Sequence, residues 1–157
     1  MKLNNEDILG LFIIFFVLAG IALIYFRNFE AFQLKCIVST VDGNKYCVRE
    51  RSEIQNAADL LAKVTEKCKK LVKYMSEKHP DDPRTKRLVD GFNPKKTMET
   101  LPTSQFTAYS ENKGEKIAFC LNKKKGENEN LIDESTLTFV AIHELSHVAT
   151  VSIGHKS

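Results

Sequence analysis

Two histidines and a glutamate near the C-terminus, His143, Glu144 and His147, have the residue types and spacing of a hydrolytic zinc site. Residues four apart on a helix lie about 40° apart around the axis and one turn apart along it. Both imidazoles can therefore face one metal ion. Glu144, beside the first histidine, is then placed to take a proton from a water molecule that the metal activates. The pattern predicts His143 and His147 as zinc ligands and Glu144 as the general base.

The alternative is a helix that carries two solvent-facing histidines. The flanking residues favour the metal, because they predict a largely buried helix in which histidines need partners. These apolar flanking residues are Leu137, Val140, Ala141, Ile142, Leu145, Val148 and Ala149. Three of the four histidines also fall within the last fifteen residues of the chain.

A catalytic zinc ion needs a third protein ligand, and His155 is the candidate. On an unbroken helix His155 would lie about 12 Å beyond His147 along the axis, too far to reach the same ion. The helix must therefore end soon after His147, and Gly154 gives the backbone the freedom to reverse. The alternatives are a terminal histidine without a ligand role and a chain truncated before the rest of its site.

A long apolar segment, Ile8 to Phe26, lies near the N-terminus and contains nineteen residues without a charge. As a helix it would measure about 28 Å, close to the thickness of a bilayer's hydrocarbon core. A cleaved signal peptide is the alternative. However, the segment is longer than a usual signal core and continues past its small residues, Gly20 to Ala22. We therefore predict a single-pass membrane protein with a short tail (residues 1–7), an anchor (8–26) and one domain (27–157).

The orientation of the anchor stays open. Lys2 precedes it, and Arg27 and Lys35 follow it, which is a difference of one basic residue. The difference favours a cytosolic C-terminal domain without deciding the matter. The net charge of +3 is mild, and no basic stripe interleaved with aromatic residues is present, so the sequence does not suggest nucleic-acid binding.

The domain reads as an α+β fold in which hairpins alternate with helices. A hairpin is predicted around Asp42-Gly43, with Asp-Gly as a two-residue turn. An amphipathic helix should follow from Ile54 to about His79, with Ser52 and Gln55 as a capping box. The later elements are a short helix from Pro83 to Val89, a loop from Phe92 to Gln105, a hairpin around Asn112–Gly114, and a final helix that begins after Asp133.

The four cysteines match no zinc-finger spacing. Cys68 and Cys120 fall on predicted apolar faces, where a thiol behaves as a small hydrophobic group. A two-residue turn would make Cys36 and Cys47 diagonal neighbours, slightly beyond ideal disulfide reach. The sequence leaves their disulfide state open.

The HExxH helix resembles that of zincin metallopeptidases, notably minimal ones of the WLM type. The whole chain more closely resembles membrane-anchored HExxH metallopeptidase-like proteins of large DNA viruses. The similar segments are the N-terminal anchor, VDGNKYCVR (Val41 to Arg49), TAYSENKGEKIAFCLN (Thr107 to Asn122) and LTFVAIHELSHVATVSIGH (Leu137 to His155). The resemblance implies a zincin-like domain, Zn²⁺ as cofactor, and a peptide or protein substrate. It also implies zinc ligation by His143, His147 and His155, with Glu144 as general base.

Three functions follow as expectations. The first is a membrane-anchored zinc metallopeptidase, and the presence of Glu144 favours it because a purely structural zinc site needs no base. The second is a non-catalytic membrane protein, for example of a virion, with a structural or relict zinc site. The third is a membrane-anchored interaction domain without a metal.

Overall fold

A computed structural model describes residues 4–32, 34–124 and 130–151 of the chain. The chain divides into two compact units, Met1–Gln33 and Leu34–Ser157. The first unit is helix α1, Asn5–Phe32, whose segment Asp7–Phe26 has a mean hydropathy of 2.9. This confirms an N-terminal apolar helix that is long and apolar enough to cross a membrane. Length and composition alone do not distinguish such a helix from a signal sequence.

The second unit contains three helices, five strands and two short 3-10 helices within its described residues. In chain order these are β1 (Lys35–Val38), β2 (Lys45–Val48), α2 (Ile54–Lys78), α3 (Pro83–Gly91), a 3-10 turn (Pro94–Lys96), β3 (Thr97–Glu99), β4 (Ala108–Glu111), a 3-10 turn (Asn112–Gly114), β5 (Lys116–Phe119) and α4 (Glu134–Ala149). Strands β1 and β2 form a hairpin, and the other three form a sheet in the order β3-β5-β4. Strand β3 is parallel to β5, and β4 is antiparallel to β5. The predicted α+β class is confirmed.

The core lies between the sheet, the long helix α2 and helix α4. Helix α2 buries Ala57, Leu61, Val64 and Cys68, whose three- and four-residue spacing is the basis for predicting this helix. Strand β5 is buried along most of its length because it is the central strand of the sheet. Helix α4 adds Leu137, Leu145 and Val148 to the same core. The sheet and α2 thereby fix the position of α4.

The predicted register of the first hairpin is wrong. Cys36 lies directly opposite Cys47, not diagonal to it, and the two form a disulfide with Cα atoms 3.9 Å apart. The loop is longer than two residues: the Ser39 N–H donates to Asn44 O at 2.8 Å and continues the ladder, so residues 40–43 form the loop, and Asp59 of α2 holds its start. Asp59 accepts hydrogen bonds from Ser39 Oγ at 2.7 Å and from the Thr40 backbone N–H at 2.8 Å.

Two further local predictions fail. The segment predicted as a loop contains strand β3, which pairs with β5 from a distant part of the sequence. The predicted capping box is also absent, because Glu53 is the N-cap of α2 and its side chain makes no capping hydrogen bond. Gln55 instead donates to Val38 O and Asp59 Oδ1, both at 3.1 Å, and so ties the hairpin to the helix.

Helix α4 is less buried than its composition predicts. The side chains of Phe139 and Ile142 are 74% and 48% exposed, whereas Leu137, Ala141 and Leu145 are buried. The neighbouring elements α2, α3, β4 and β5 cover one face of α4 and leave the other face open within the described structure. The two histidines are therefore not enclosed by an apolar core.

Candidate metal site on helix α4

The start of helix α4 is defined by an N-cap, as its sequence predicts. The Asp133 side chain accepts a hydrogen bond from the Thr136 backbone N–H at 2.9 Å and another from Thr136 Oγ1 at 2.7 Å. These hydrogen bonds lower the pKa of Asp133, which favours its charged form at the positive end of the helix. Glu134 also pairs with Lys67 of α2 at 2.8 Å and joins the two helices at the surface.

The end of helix α4 is fixed by a residue far away in the sequence. The Arg87 Nε group of α3 donates to Ala149 O at 2.6 Å, and Thr150 then leaves the helix with extended backbone angles. A cation at a helix C-terminus both satisfies a free carbonyl and complements the helix dipole. The helix thus ends two residues after His147, which is the condition that His155 needs to approach the site. His155 itself lies outside the described residues.

His143 and His147 point their imidazoles at the same place. Their Nε2 atoms are 3.1 Å apart, and their ring centroids are 4.7 Å apart with planes inclined by 83°. Two nitrogen atoms bound tetrahedrally to one zinc ion at 2.0–2.1 Å are about 3.3 Å apart. The pair therefore fits two positions of a tetrahedral metal site. A hydrogen bond between a neutral donor ring and a neutral acceptor ring fits the same distance.

The side chains of both histidines are accessible enough for a ligand to reach them. The His143 side chain is exposed and that of His147 is half-buried. Each histidine is held by regular helical backbone, and Ser146 Oγ donates to His143 O at 2.6 Å. The imidazoles therefore stand on a regular helix and are partly or fully exposed.

Glu144 is the one charged residue in the buried stripe of α4. It is 9% exposed and lies among Ala141, Leu145 and Val148. Within the described part of the chain, no hydrogen bond or ion pair to its carboxylate is present. The side chain is largely buried, but its carboxylate oxygens are not cut off from solvent, so the carboxylate is available to a ligand or a proton.

The third ligand is not found among the described residues. No group of three or more histidine, cysteine, aspartate or glutamate side chains in residues 4–32, 34–124 and 130–151 is arranged to hold a metal. The prediction for His155 stays a prediction. Sequence reasoning missed Arg87 as the residue that ends the helix, since no local signal connects positions 62 residues apart.

Comparisons with known proteins give one distant similarity. An uncharacterized protein of Acanthamoeba polyphaga mimivirus is 26% identical to this chain over 144 residues. The alignment covers 88% of this chain and 72% of the viral protein. No protein-family model and no solved structure matches the chain. The chain is thus similar to a viral protein, and that similarity carries no activity with it.

Proposed function

We propose that this chain is a membrane-anchored, zinc-dependent peptidase whose centre is His143, Glu144 and His147. The observation that carries the proposal is the 3.1 Å separation of the two Nε2 atoms, with the largely buried side chain of Glu144 on the same helix. The spacing supports a shared metal ligand set, and a carboxylate that makes no hydrogen bond or ion pair within the described residues supports a base. His155 is proposed as the third ligand.

Each residue would have a separate role. His143 Nε2 and His147 Nε2 would hold Zn²⁺. Helix α4, whose start is capped by Asp133 and whose end is bound by Arg87 of α3, would keep the two rings in position. A bound zinc ion supplies Lewis-acid polarisation of a carbonyl and makes a water molecule acidic near neutral pH. Glu144 would accept the proton of the attacking water on a carboxylate oxygen and return it to the leaving amine.

The neighbouring sheet supports a peptide as the substrate. Strand β4 packs against α4 and lies at the edge of the sheet, with β5 on one side. No described strand pairs with its other edge. An exposed edge binds an extended peptide through main-chain hydrogen bonds, which is independent of the peptide's sequence. A peptide bound there would pass beside the helix that carries the histidines.

The apolar helix α1 supports attachment to a membrane. Its segment Asp7–Phe26 covers 20 residues, which as a helix corresponds to about 30 Å. The proposed enzyme would therefore act on substrates near a lipid bilayer, in the membrane of a virus or of its host. If α1 remains in the mature protein, it would anchor the protein permanently in the membrane.

A second candidate is a membrane protein with a structural or relict metal site. One observation favours it, namely that the described residues contain only two of the three protein ligands that a catalytic zinc ion usually has. The two candidates differ in activity and in the importance of Glu144, because a structural site needs ligands and no base.

The decisive experiment measures zinc and hydrolysis in the same preparation. The full chain, purified in detergent without a histidine tag, should hold about one zinc ion per molecule by plasma mass spectrometry. His147→Ala should lose the metal, and His79→Ala, a histidine at the end of α2, should keep it. An unfolded protein should be cleaved only by the zinc-containing forms. Zinc near zero after refolding with zinc would overturn the proposal, and bound zinc without cleavage would favour the second candidate.

A further inference from the structure

A cavity of about 320 Å³ lies one helical turn before Glu144 along α4. Val140 forms part of its wall, and residues 140 and 144 are separated by about 40° around the helix axis. The cavity wall also includes Thr107 and Cys120. The Cys120 N–H donates to Thr107 O at 2.7 Å, and this hydrogen bond extends the pairing of β4 with β5. The cavity is thus next to both the proposed centre and the edge strand.

The cavity contains a guanidinium group that is already fixed in place. Arg49 lines the cavity and is 6% exposed. Its Nε donates to Thr100 O at 2.8 Å, and its Nη2 donates to Leu101 O at 2.8 Å and to Thr100 Oγ1 at 3.0 Å. Nη1 donates no hydrogen bond within the described part of the chain. The side chain is therefore held rigidly by neutral acceptors and retains a donor for a ligand.

Among the described residues around Arg49, positive charge exceeds negative charge. Glu99 is buried between two guanidiniums, with its carboxylate bonded to Arg51 Nη2 and 3.7 Å from Arg49 Nε. One carboxylate therefore balances only one of the two arginines. Lys123 adds a further cation to the cavity wall, and no acidic residue from the described chain lines it.

The remaining walls combine polar and apolar surface. Asn122 is 5% exposed and accepts a hydrogen bond from Arg51 Nη1 at 3.2 Å, which holds its amide in position. Phe106, Ile132 and Val140 provide apolar contacts. A short aliphatic stem that ends in an anion would match this combination, since a buried guanidinium binds a carboxylate through charge-assisted hydrogen bonds.

We infer that this cavity is a recognition pocket for a carboxylate group of a peptide, which Arg49 and Lys123 bind beside the histidine site. That the ligand is a peptide rests on the proposed function, whereas the carboxylate preference rests on the cavity alone. The carboxylate could belong to an acidic side chain or to the C-terminus of a peptide. Both have the same chemistry.

Binding to a non-cleaving form tests the inference. The full-length Glu144→Gln protein, in detergent with a chelator, would be titrated with fluorescent alanine-rich peptides and followed by anisotropy. Three peptides are needed, namely a blocked peptide with one glutamate, the same peptide with glutamine, and the glutamine peptide with a free C-terminal carboxylate. We expect one carboxylate peptide to bind at least about tenfold tighter than the blocked glutamine peptide. The tighter of the two carboxylate peptides identifies the source, and equal binding of all three would overturn the inference.

Cys120 provides a second readout inside the cavity. It is a half-buried free thiol that lines the cavity, whereas Cys36 and Cys47 form the disulfide. Burial raises the pKa of the Cys68 thiol to about 12, so alkylation of the native protein should occur first at Cys120. The preferred carboxylate peptide should slow that alkylation at least about fivefold at saturation. Equal protection by the blocked glutamine peptide would contradict a carboxylate pocket.

A pair of adjacent lysines supplies the matched variants. Lys123→Gln removes a cation from the cavity wall and should reduce the carboxylate preference severalfold, whereas Lys124→Gln, outside the lining, should leave it unchanged. Equal effects of the two changes would overturn the inference. A retained preference in a protein that neither binds zinc nor cleaves peptides would refute the proposed function alone. Cleavage without any carboxylate preference would refute the pocket alone.

Discussion

At the scale of single residues, Glu144 and the two histidines should fail in different ways when changed. Glu144→Gln preserves size and hydrogen bonding but removes basicity. We expect this variant to keep its zinc and its fold while peptidase activity falls by at least about a hundredfold. Zinc analysis and a cleavage assay on the same sample measure both effects.

Glu134→Gln is the matched control for this prediction. Glu134 lies on the same helix, and among the described residues its side chain makes a surface ion pair with Lys67. Exposed pairs of this kind contribute little to stability, so activity should stay near that of the wild type. A Glu144→Gln protein as active as Glu134→Gln would contradict the role of Glu144 as the base.

Local spacing explains which residues of the site could be predicted. His143, Glu144 and His147 are related by the geometry of a single helix, and the structure places both Nε2 atoms together as that geometry requires. Arg87 and Arg49 were not identified because each acts on a segment more than 50 residues away, Ala149 and Thr100 respectively. Periodicity carries no information about such contacts.

At the scale of elements, the end of α4 depends on close packing at Gly91, the last residue of α3. A Cβ atom at this position would lie 2.3 Å from Lys113 O and 2.8 Å from Val148 Cγ1. Gly91→Ala should therefore push α4 and the turn before β5 apart, and lower the free energy of unfolding by about 1–3 kcal/mol. Chemical denaturation of the full chain in detergent measures this loss.

Asp90→Ala is the control for the Gly91 variant, since Asp90 is exposed and immediately precedes it. It should change stability by no more than about 0.5 kcal/mol. Because Val148 follows His147 directly, we also expect Gly91→Ala to weaken zinc binding. Unchanged stability in Gly91→Ala would show that Lys113 and α4 can move aside without cost.

The hairpin's attachment to α2 should depend on pH through Asp59. Burial by itself raises the Asp59 pKa, but hydrogen bonds from Thr40 and Ser39 outweigh it and bring the pKa to about 2, below the usual 3.8. A carboxyl whose pKa is lowered in the folded state stabilises above its unfolded pKa, and loses that effect as pH falls through the folded value. The contribution should therefore be complete at pH 7 and fade between pH 3.8 and 2.

Asp59→Asn tests this dependence by thermal unfolding. At pH 7 the variant should melt about 2–4 °C below the wild type. The difference should shrink as the pH falls towards 2. Asp81→Asn, at an exposed position, should match the wild type throughout. A difference in Tm that stays constant with pH would rule out the charge of Asp59 as its origin.

Elements defined by local signals could be predicted, and those defined by distant partners could not. The face of α2, the Asp133 cap and the second hairpin follow from neighbouring residues, and the structure contains them. Strand β3 has only three residues and exists because β5 pairs with it. The loop of the first hairpin is similarly held by Asp59, from another element.

At the scale of the whole molecule, the disulfide bears on the compartment of the second unit. Disulfides persist in oxidising compartments, so we predict from the Cys36–Cys47 bond that the unit from Leu34 onwards faces such a compartment. The excess of one basic residue after the apolar segment favours the opposite orientation, but a single residue is a weak signal.

Alkylation with a mass-shifting maleimide tests the disulfide in cells that express the chain. Under denaturing conditions without reductant, Cys68 and Cys120 should react while Cys36 and Cys47 should not. Reductant should make all four available. Cys47→Ser should also cost up to about 3 kcal/mol of stability, as expected for a loop of this length. Four reactive thiols before reduction would contradict the oxidised hairpin and its compartment.

The last prediction concerns whether α1 remains in the protein. Its uninterrupted apolar length favours a retained anchor, so the full chain should resist carbonate extraction and peptides from residues 8–26 should be found in the mature protein. Replacing Phe16 and Val17 in the middle of the segment by arginine should oppose insertion by about 5 kcal/mol and move the protein to the soluble fraction. Phe106→Arg, at an exposed apolar position of the second unit, should leave membrane association unchanged. An N-terminus mapped after Ala22 would show a cleaved signal sequence, and the proposed peptidase would then act away from the bilayer.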